Sequence, residues 1–286
     1  MKSVLLATDF SERSDRALRR AVLLARQHGA VIHLLHVVDD DRPARLVEHE
    51  VADARSLLKR QKRSLTRIDG IRAEISVTLA DPFAGIVEAA RTLVPDLLIL
   101  GPHRKQILRD AFVGTTAERV IRAASCPVLS VNGPPVAPYA HVLLTTDLSD
   151  ASKSALRRVF DTGLSDGLRQ SLLHVHDAPA LRLAVAGSLP DADREHLLAE
   201  AGRDARRDLL AFMDGLSPQP IRPEIRHRDT TDAAEILKAA HGLHADLVMV
   251  ATQGKGALAR LMLGSVTQNL FQTAEVDILA IPPQAA

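Results

Sequence analysis

Two stretches of this chain put glycine and a hydroxyl residue where a loop turns into a helix. The apolar run Leu97–Leu100 leads into Gly101, and the loop beyond it ends in Gly114-Thr115; the run Leu247–Val250 leads into Ala251, and its loop ends in Gly264-Ser265. Thr115-x-x-Glu118 and Ser265-x-x-Gln268 have capping-box form, which predicts that each helix starts at its hydroxyl residue. The N–H groups at such a start, with the positive end of the helix dipole, suit a phosphate. The same residues also serve as ordinary loop glycines and caps, so the pattern alone leaves both readings open. Lys105 and Lys255 flank the loops, as added positive charge or as exposed loop lysines.

The elements that position these loops are short strands alternating with helices. Val4–Ala7 reads as a strand ending before Asp9, and Ser11 caps a helix in which Ala17, Ala21, Leu24 and Ala25 recur at helical spacing. Val31–Val38 is a second strand, Leu46–Arg67 a polar helix, Ala73–Leu79 a third strand and Phe83–Leu93 another helix. Leu97–Leu100, the helix Thr115–Ala124 and the strand Val128–Val131 complete the series. This order predicts α/β architecture: a doubly wound, five-stranded parallel sheet with helices on both faces. Ligands in such sheets bind beyond the carboxyl ends of the strands, which is where Asp9, Gly101 and the end of their loop fall.

The whole series occurs twice. "VLLATDFSERSDRAL" at Val4–Leu18 returns as "VLLTTDLSDASKSAL" at Val142–Leu156, so Asp147 takes the place of Asp9, and "IHLLHVVD" at Ile32–Asp39 returns as "QSLLHVHD" at Gln170–Asp177. Units of about 140 residues are whole domains rather than solenoid repeats. The first is expected over 1–132 and the second over 139–286, joined by the proline-rich Gly133–Pro138. The second half carries about a dozen extra residues between Asp177 and Asp229. They are expected as helix within Ala178–Pro220, and Leu181–Leu189 reads as a lid or as a packed surface loop.

Composition narrows the function. Hydrophobic residues are 46% of the chain, enough for two cores, and no run spans a bilayer. With no signal-peptide pattern, a cytoplasmic location is expected. Lys and Arg total 36 against 35 Asp and Glu, so global charge gives no reason to bind nucleic acid or anionic membrane. The basic run from Arg55 to Arg67 reads as a solvated helix face, and Cys126 as a buried inert thiol. Among twelve histidines, His174/His176 and His241/His244 lack the partners that complete a zinc site, so no metal is expected. P-loop, G-x-G-x-x-G and G-x-S-x-G patterns are absent, and no catalytic residue is expected.

Both halves resemble the universal stress protein family, through the strand-Asp opening, the "LLHV" second strand, the glycine loop and the closing "CPVLSV" and "VDILAI" strands. The resemblance implies a tandem form. Because single-domain relatives pair through their last strands, it also implies that the closing strands Val128–Val131 and Ile278–Ile281 face each other across an internal pseudo-two-fold axis, an intramolecular pseudo-dimer that leaves a further homodimer open. ATP-binding members of that family carry G-x2-G-x9-G-[ST] after the fourth strand. Carried over, this implies adenosine contacts at Asp9 and Val37 and phosphate contacts at Gly101, Gly114 and Thr115. In the second half it implies Asp147, Val175, Ala251, Gly254, Gly264, Ser265 and Val266. Each half departs once: Arg104 stands at the second glycine of the first motif and Ala251 at the first glycine of the second. A long side chain obstructs a phosphate more than a methyl group does, although Arg104 can also reach a phosphate as a charged donor. The second half is therefore the expected site for ATP, with Mg2+, or a related adenine nucleotide. The expected role is a stress-response binding protein with unidentified protein partners; the alternative is an interaction scaffold without nucleotide. An enzyme of the wider adenine-nucleotide α-hydrolase group is disfavoured, because pyrophosphatase Ser-Gly-Gly-x-Asp loops are missing after the first strand.

Overall fold

The computed structural model describes residues 1–102, 116–178, 190–217, 219–253 and 264–283. The first half runs β1 (Ser3–Ala7), α1 (Glu12–His28), β2 (Val31–Val38), α2 (Ala44–Arg67), β3 (Ala73–Leu79), α3 (Pro82–Leu93), β4 (Leu97–Leu100), α4 (Thr116–Ala123) and β5 (Val128–Ser130). The second runs β6 (His141–Thr146), α5 (Asp150–Thr162), β7 (Arg169–His176), α6 (Asp191–Met213), β8 (Arg222–His227), α7 (Asp232–Leu243), β9 (Leu247–Ala251), α8 (Ser265–Thr273) and β10 (Asp277–Ile281). Among the described residues the strands form one sheet in the order β3-β2-β1-β4-β5-β10-β9-β6-β7-β8.

That order reads the same from either end when each strand is replaced by its counterpart. Within a half every pairing is parallel, while β5 and β10 pair antiparallel, Ile278 opposite Ser130 and Ala280 opposite Val128. The closing strands thus meet on the pseudo-two-fold axis, and each covers the other's otherwise open edge. Central strands such as β4 (Leu-Leu-Ile-Leu) are apolar on both faces and fully buried, as parallel strands between two helix layers must be. The outermost strands are more polar, and Pro223 within β8 is tolerated because an edge strand has a side with no ladder to complete.

Two buried clusters result, but they divide by face rather than by half. One joins α1 and α2 (Ala17, Ala21, Leu24, Leu58) to α5 and α6 (Ala155, Leu156, Leu209); the other joins α3 and α4 (Ile86, Val120, Ile121) to α7 and α8 (Ile236, Leu270, Phe271). A core for each half was the expectation. Pairing β5 with β10 makes the sheet continuous, so each apolar face is continuous too. Cys126 is buried there, and burial pushes its thiol up to about 11.

A buried polar anchor fixes the linker at this seam. Asp277, 1% exposed, accepts the N–H groups of Asn132 and Gly133 on Oδ1, both at 2.8 Å. Its Oδ2 accepts the Tyr139 hydroxyl at 2.6 Å and Arg20 Nε at 3.2 Å. Arg20 lies over the Tyr139 ring, 3.9 Å from its centroid, and donates to the Ala137 carbonyl at 2.7 Å. Burial pushes the Asp277 carboxyl up despite these partners. On the other side of the axis Arg158, from α5, donates among the described residues to the carbonyls of Pro282 (3.0 Å) and Ser125 (2.6 Å).

The extra residues of the second half, expected as helix within Ala178–Pro220, fall largely at 179–189, outside the described residues. Helix α6 is the counterpart of α2 and no longer than it. Among the described residues, the link from β8 to α7 is longer than its counterpart, 228–231 against 80–81. The periodic apolar residues from Leu197 to Phe212 mark a helix both halves share. The proposed lid, Leu181–Leu189, falls outside the described residues.

Candidate functional site

The site elements are built at the carboxyl ends of β1 and β4, and of β6 and β9, the neighbouring strands where the sheet order reverses. Both opening turns use one set of hydrogen bonds. The Ser11 amide and hydroxyl donate to Asp9 Oδ1 at 3.0 and 2.5 Å, and Ser11 Oγ caps α1 by accepting Ser14 N–H. The Ser149 amide and hydroxyl donate to Asp147 Oδ1 at 3.0 and 2.5 Å, and Ser149 Oγ caps α5 by accepting Ser152 N–H. Buried Thr8 and Thr146 bond Ser14 and Ser152 and accept the amides of Phe10 and Leu148, which hold left-handed φ values of 58° and 63°. Non-glycine residues are rare in that region, and the surrounding bonds hold them there. The two aspartates therefore brace the turn with one oxygen. Burial resists ionisation of Asp9, but the Ser11 hydroxyl and amide, with Ser14 and Arg13, hold its carboxyl below the usual range.

The residues at the ends of β2 and β4 are set by close packing. A side chain on Gly85 would meet the Val37 methyl carbons at 2.7 and 3.0 Å, so Val37 sits in the notch α3 leaves for it. A Cβ on Gly101 would come within 3.0 Å of the Arg13 backbone, so this glycine lets the end of β4 approach the first turn of α1. That packing demand was not visible in the motif. Arg104, Gly114, Thr115, Lys105, Gly254 and Lys255 lie outside the described residues.

In the second half the two ends of the glycine loop are tied together. Gly264 N–H donates to the Thr252 carbonyl at 3.2 Å, and the Thr267 hydroxyl donates to the Ala251 carbonyl at 3.1 Å. Ser265 is the first residue of α8 but does not cap it. Gly264 holds the cap position at φ −58° and ψ 144°, no side chain caps the helix, and the Gln268 N–H bonds the Gly264 carbonyl at 3.0 Å. A capping side chain must come from a non-helical residue, and Ser265 is already helical. In the first half Glu118, the acid of the expected box, is buried and accepts Gln272 Nε2 from the other half at 3.1 Å.

Beside this helix start lies a cleft of about 660 Å3, lined by Ser265, Val266 and Asn269 of α8, by residues following β7 and β8, and by Arg194 of α6. Asp147, Val175, Ala251 and Gly264 are not part of this lining. Much of the rim was missed from sequence. Arg228 is clamped between Asp177 (2.7 Å) and Asp232 (3.7 Å), and Asp229 and His227 stand beside it. The signal was available, since these residues follow strand ends and fall where the second half is longer. Three rim carboxylates (Asp177, Asp229, Asp232) face two guanidiniums (Arg194, Arg228), whereas the inner end presents the first amides of α8. The inner end suits phosphate oxygens and the rim suits cations or hydroxyl donors.

The model of the universal stress protein family matches this chain twice, over residues 1–132 and 138–282. The chain belongs to that family. A universal stress protein of Mycolicibacterium smegmatis is 24% identical over 98% of this chain and 97% of its own length. One of Methanocaldococcus jannaschii is 30% identical over 46% of this chain and 83% of its own. A solved universal stress protein structure from Archaeoglobus fulgidus shares the fold over 98% of this chain and 97% of its own, at a TM-score of 0.70 and 19% identity. Among the described residues no helix is long and apolar enough to cross a membrane.

Proposed function

We propose that this family member binds ATP or a related adenine nucleotide in its second half and acts through that binding rather than through catalysis. The observation that carries the reading is the cleft bounded by Ser265 and Val266 at the start of α8, on the ligand edge of the sheet. Its volume falls in the range of small-molecule sites. Phosphates would lie at the helix start, with the nucleoside toward Asp147 and Val175. Because the rim carries an excess of carboxylates, Mg2+ would enter with the phosphates and lower their charge. Mass spectrometry of ligand retained through purification, with calorimetric titration of ATP and Mg2+, tests the reading. Retained adenine nucleotide or saturable heat supports it, and neither being found sinks it.

The second reading, a scaffold without nucleotide, is favoured by the incomplete glycine motif in each half, Arg104 in one and Ala251 in the other. Protein partners captured equally by the wild type and by a Gly264→Val variant, with no nucleotide retained by either, would favour it.

A further inference from the structure

The second half differs from the first in a pair of histidines beside the cleft. His176 of β7 and His227 of β8 are opposed in register, their ring centroids 5.5 Å apart and their planes inclined by 56°. The corresponding register pair of the first half is Val38 opposite Leu79. His176 is 9% exposed, and the Nδ1 atoms of both rings are buried without a hydrogen-bond partner. Buried polar atoms are almost always paired, so two neighbouring orphans of the same type ask for a shared partner.

We propose that His176 and His227 are the protein ligands of one zinc-class transition-metal ion, through their Nδ1 atoms. A metal–nitrogen bond of about 2.1 Å puts each ring centroid about 3.2 Å from the ion, and a near-tetrahedral angle then separates the centroids by about 5.2 Å. The observed 5.5 Å fits a single ion between the rings with a slightly wider angle. Asp229 stands 3.9 Å from His227 Nε2, on the opposite edge of that ring. No third His, Cys, Asp or Glu joins them in metal-binding geometry among the described residues. The ion's remaining positions therefore belong to water or to an anion in the cleft that His227 lines. Such a site is open and exchangeable rather than structural.

The test uses the full chain without nucleotide, so its failure and that of the nucleotide reading are separate. Calorimetric titration with Zn2+ should show one ion bound by the wild type. His176→Val and His227→Leu, which install the residue types of the first half's register pair, should each weaken it at least tenfold, and the double variant should lose it. In the wild type itself, Zn2+ should shield His227 from carbethoxylation by diethyl pyrocarbonate, read by mass spectrometry, so the proposal remains testable if the variants fold poorly. A wild type that binds no Zn2+, unchanged binding in both variants, or equal modification of His227 with and without Zn2+ overturns it.

Discussion

At the ends of β1 and β6 the two halves have stayed alike; at the ends of β3 and β8 they have parted. The opening turns repeat the same Thr, Asp, Ser and second Ser, with the same bonds and a left-handed residue between them, Phe10 in one and Leu148 in the other. Beyond β3 a short link leads into α3, where Gly85 admits Val37; beyond β8 a longer link builds a charged rim, and the place of Gly85 is held by buried Glu235, bonded to Lys238 at 2.7 Å. The comparison separates what the fold requires from what a site may vary. The turn joining the first strand to its helix is needed in both copies, whereas the loops around the cleft contribute little to the sheet and are free to specialise.

The seam gives the sharpest way to break the two-fold comparison. Asp277→Ala would leave Arg20 as a buried charge and Tyr139 without its acceptor, costing about 3–5 kcal/mol of stability in denaturant unfolding. Arg158→Ala, across the axis, removes bonds to two carbonyls from a partly exposed group and should cost about 1 kcal/mol. Equal losses would mean that the two sides of the seam are anchored alike.

Ligand binding is the next difference. Among the described residues a Cβ at Gly264 meets Thr252 O at 3.7 Å and Thr267 Oγ1 at 4.0 Å, ordinary contacts, so a loss of binding in Gly264→Val is read against the variant's own thermal melt. Binding of ATP with Mg2+ should weaken by at least about 2–3 kcal/mol, through clash and lost charge-assisted hydrogen bonds. Gly114→Val should matter less. If calorimetry shows Gly114→Val to be the more damaging change, the ranking of the halves is wrong.

The glycine at the end of β4 reverses that comparison. Gly101→Ala forces a methyl group against the Arg13 backbone and should cost about 1–3 kcal/mol of stability. Ala251→Gly at the equivalent position should cost only about 0.5–1 kcal/mol, the entropy of a freer backbone. Thermal melts of both variants check it, and an innocuous Gly101→Ala would mean that α1 yields to the approach.

Local and periodic features were legible in the sequence. The order of strands and helices along the chain, the Ser11 cap and the buried Cys126 follow from runs of residues that carry their own pattern, and the pairing of the closing strands from the family resemblance. Asp277 was not legible, because its partners Arg20, Asn132, Gly133 and Tyr139 are distant in sequence and share no spacing. Ser265 failed as a cap because its spacing to Gln268 fits a box equally well whether the helix starts one residue earlier or later. Gly101 read as a phosphate residue, and its contact with α1 emerges only when β4 and α1 are placed together. The Arg228 clamp required knowing which strand ends converge.

The smallest expected effect is a difference in acid sensitivity. Burial holds His141 and His176 in the second half, and His28 in the first, below the usual histidine range. Each has a residue other than histidine at the equivalent place in the other half: Ser3, Val38 and Asp166. In the unfolded chain these rings take up a proton as pH falls through about 6.5, while in the folded chain they stay neutral until lower pH. Between those limits unfolding takes up protons, so stability present above pH 6.5 is lost as pH falls through that window. With two such rings in the second half, hydrogen exchange at pH 5.5 against pH 7.5, corrected for the intrinsic rate, should show protection falling more in β6 and β7 than in β1 and β2. His176→Val should flatten the dependence by removing one of the groups. A uniform loss across the sheet would show that the halves unfold only as one unit, and an unchanged dependence in His176→Val would exclude this ring as a source of the acid effect.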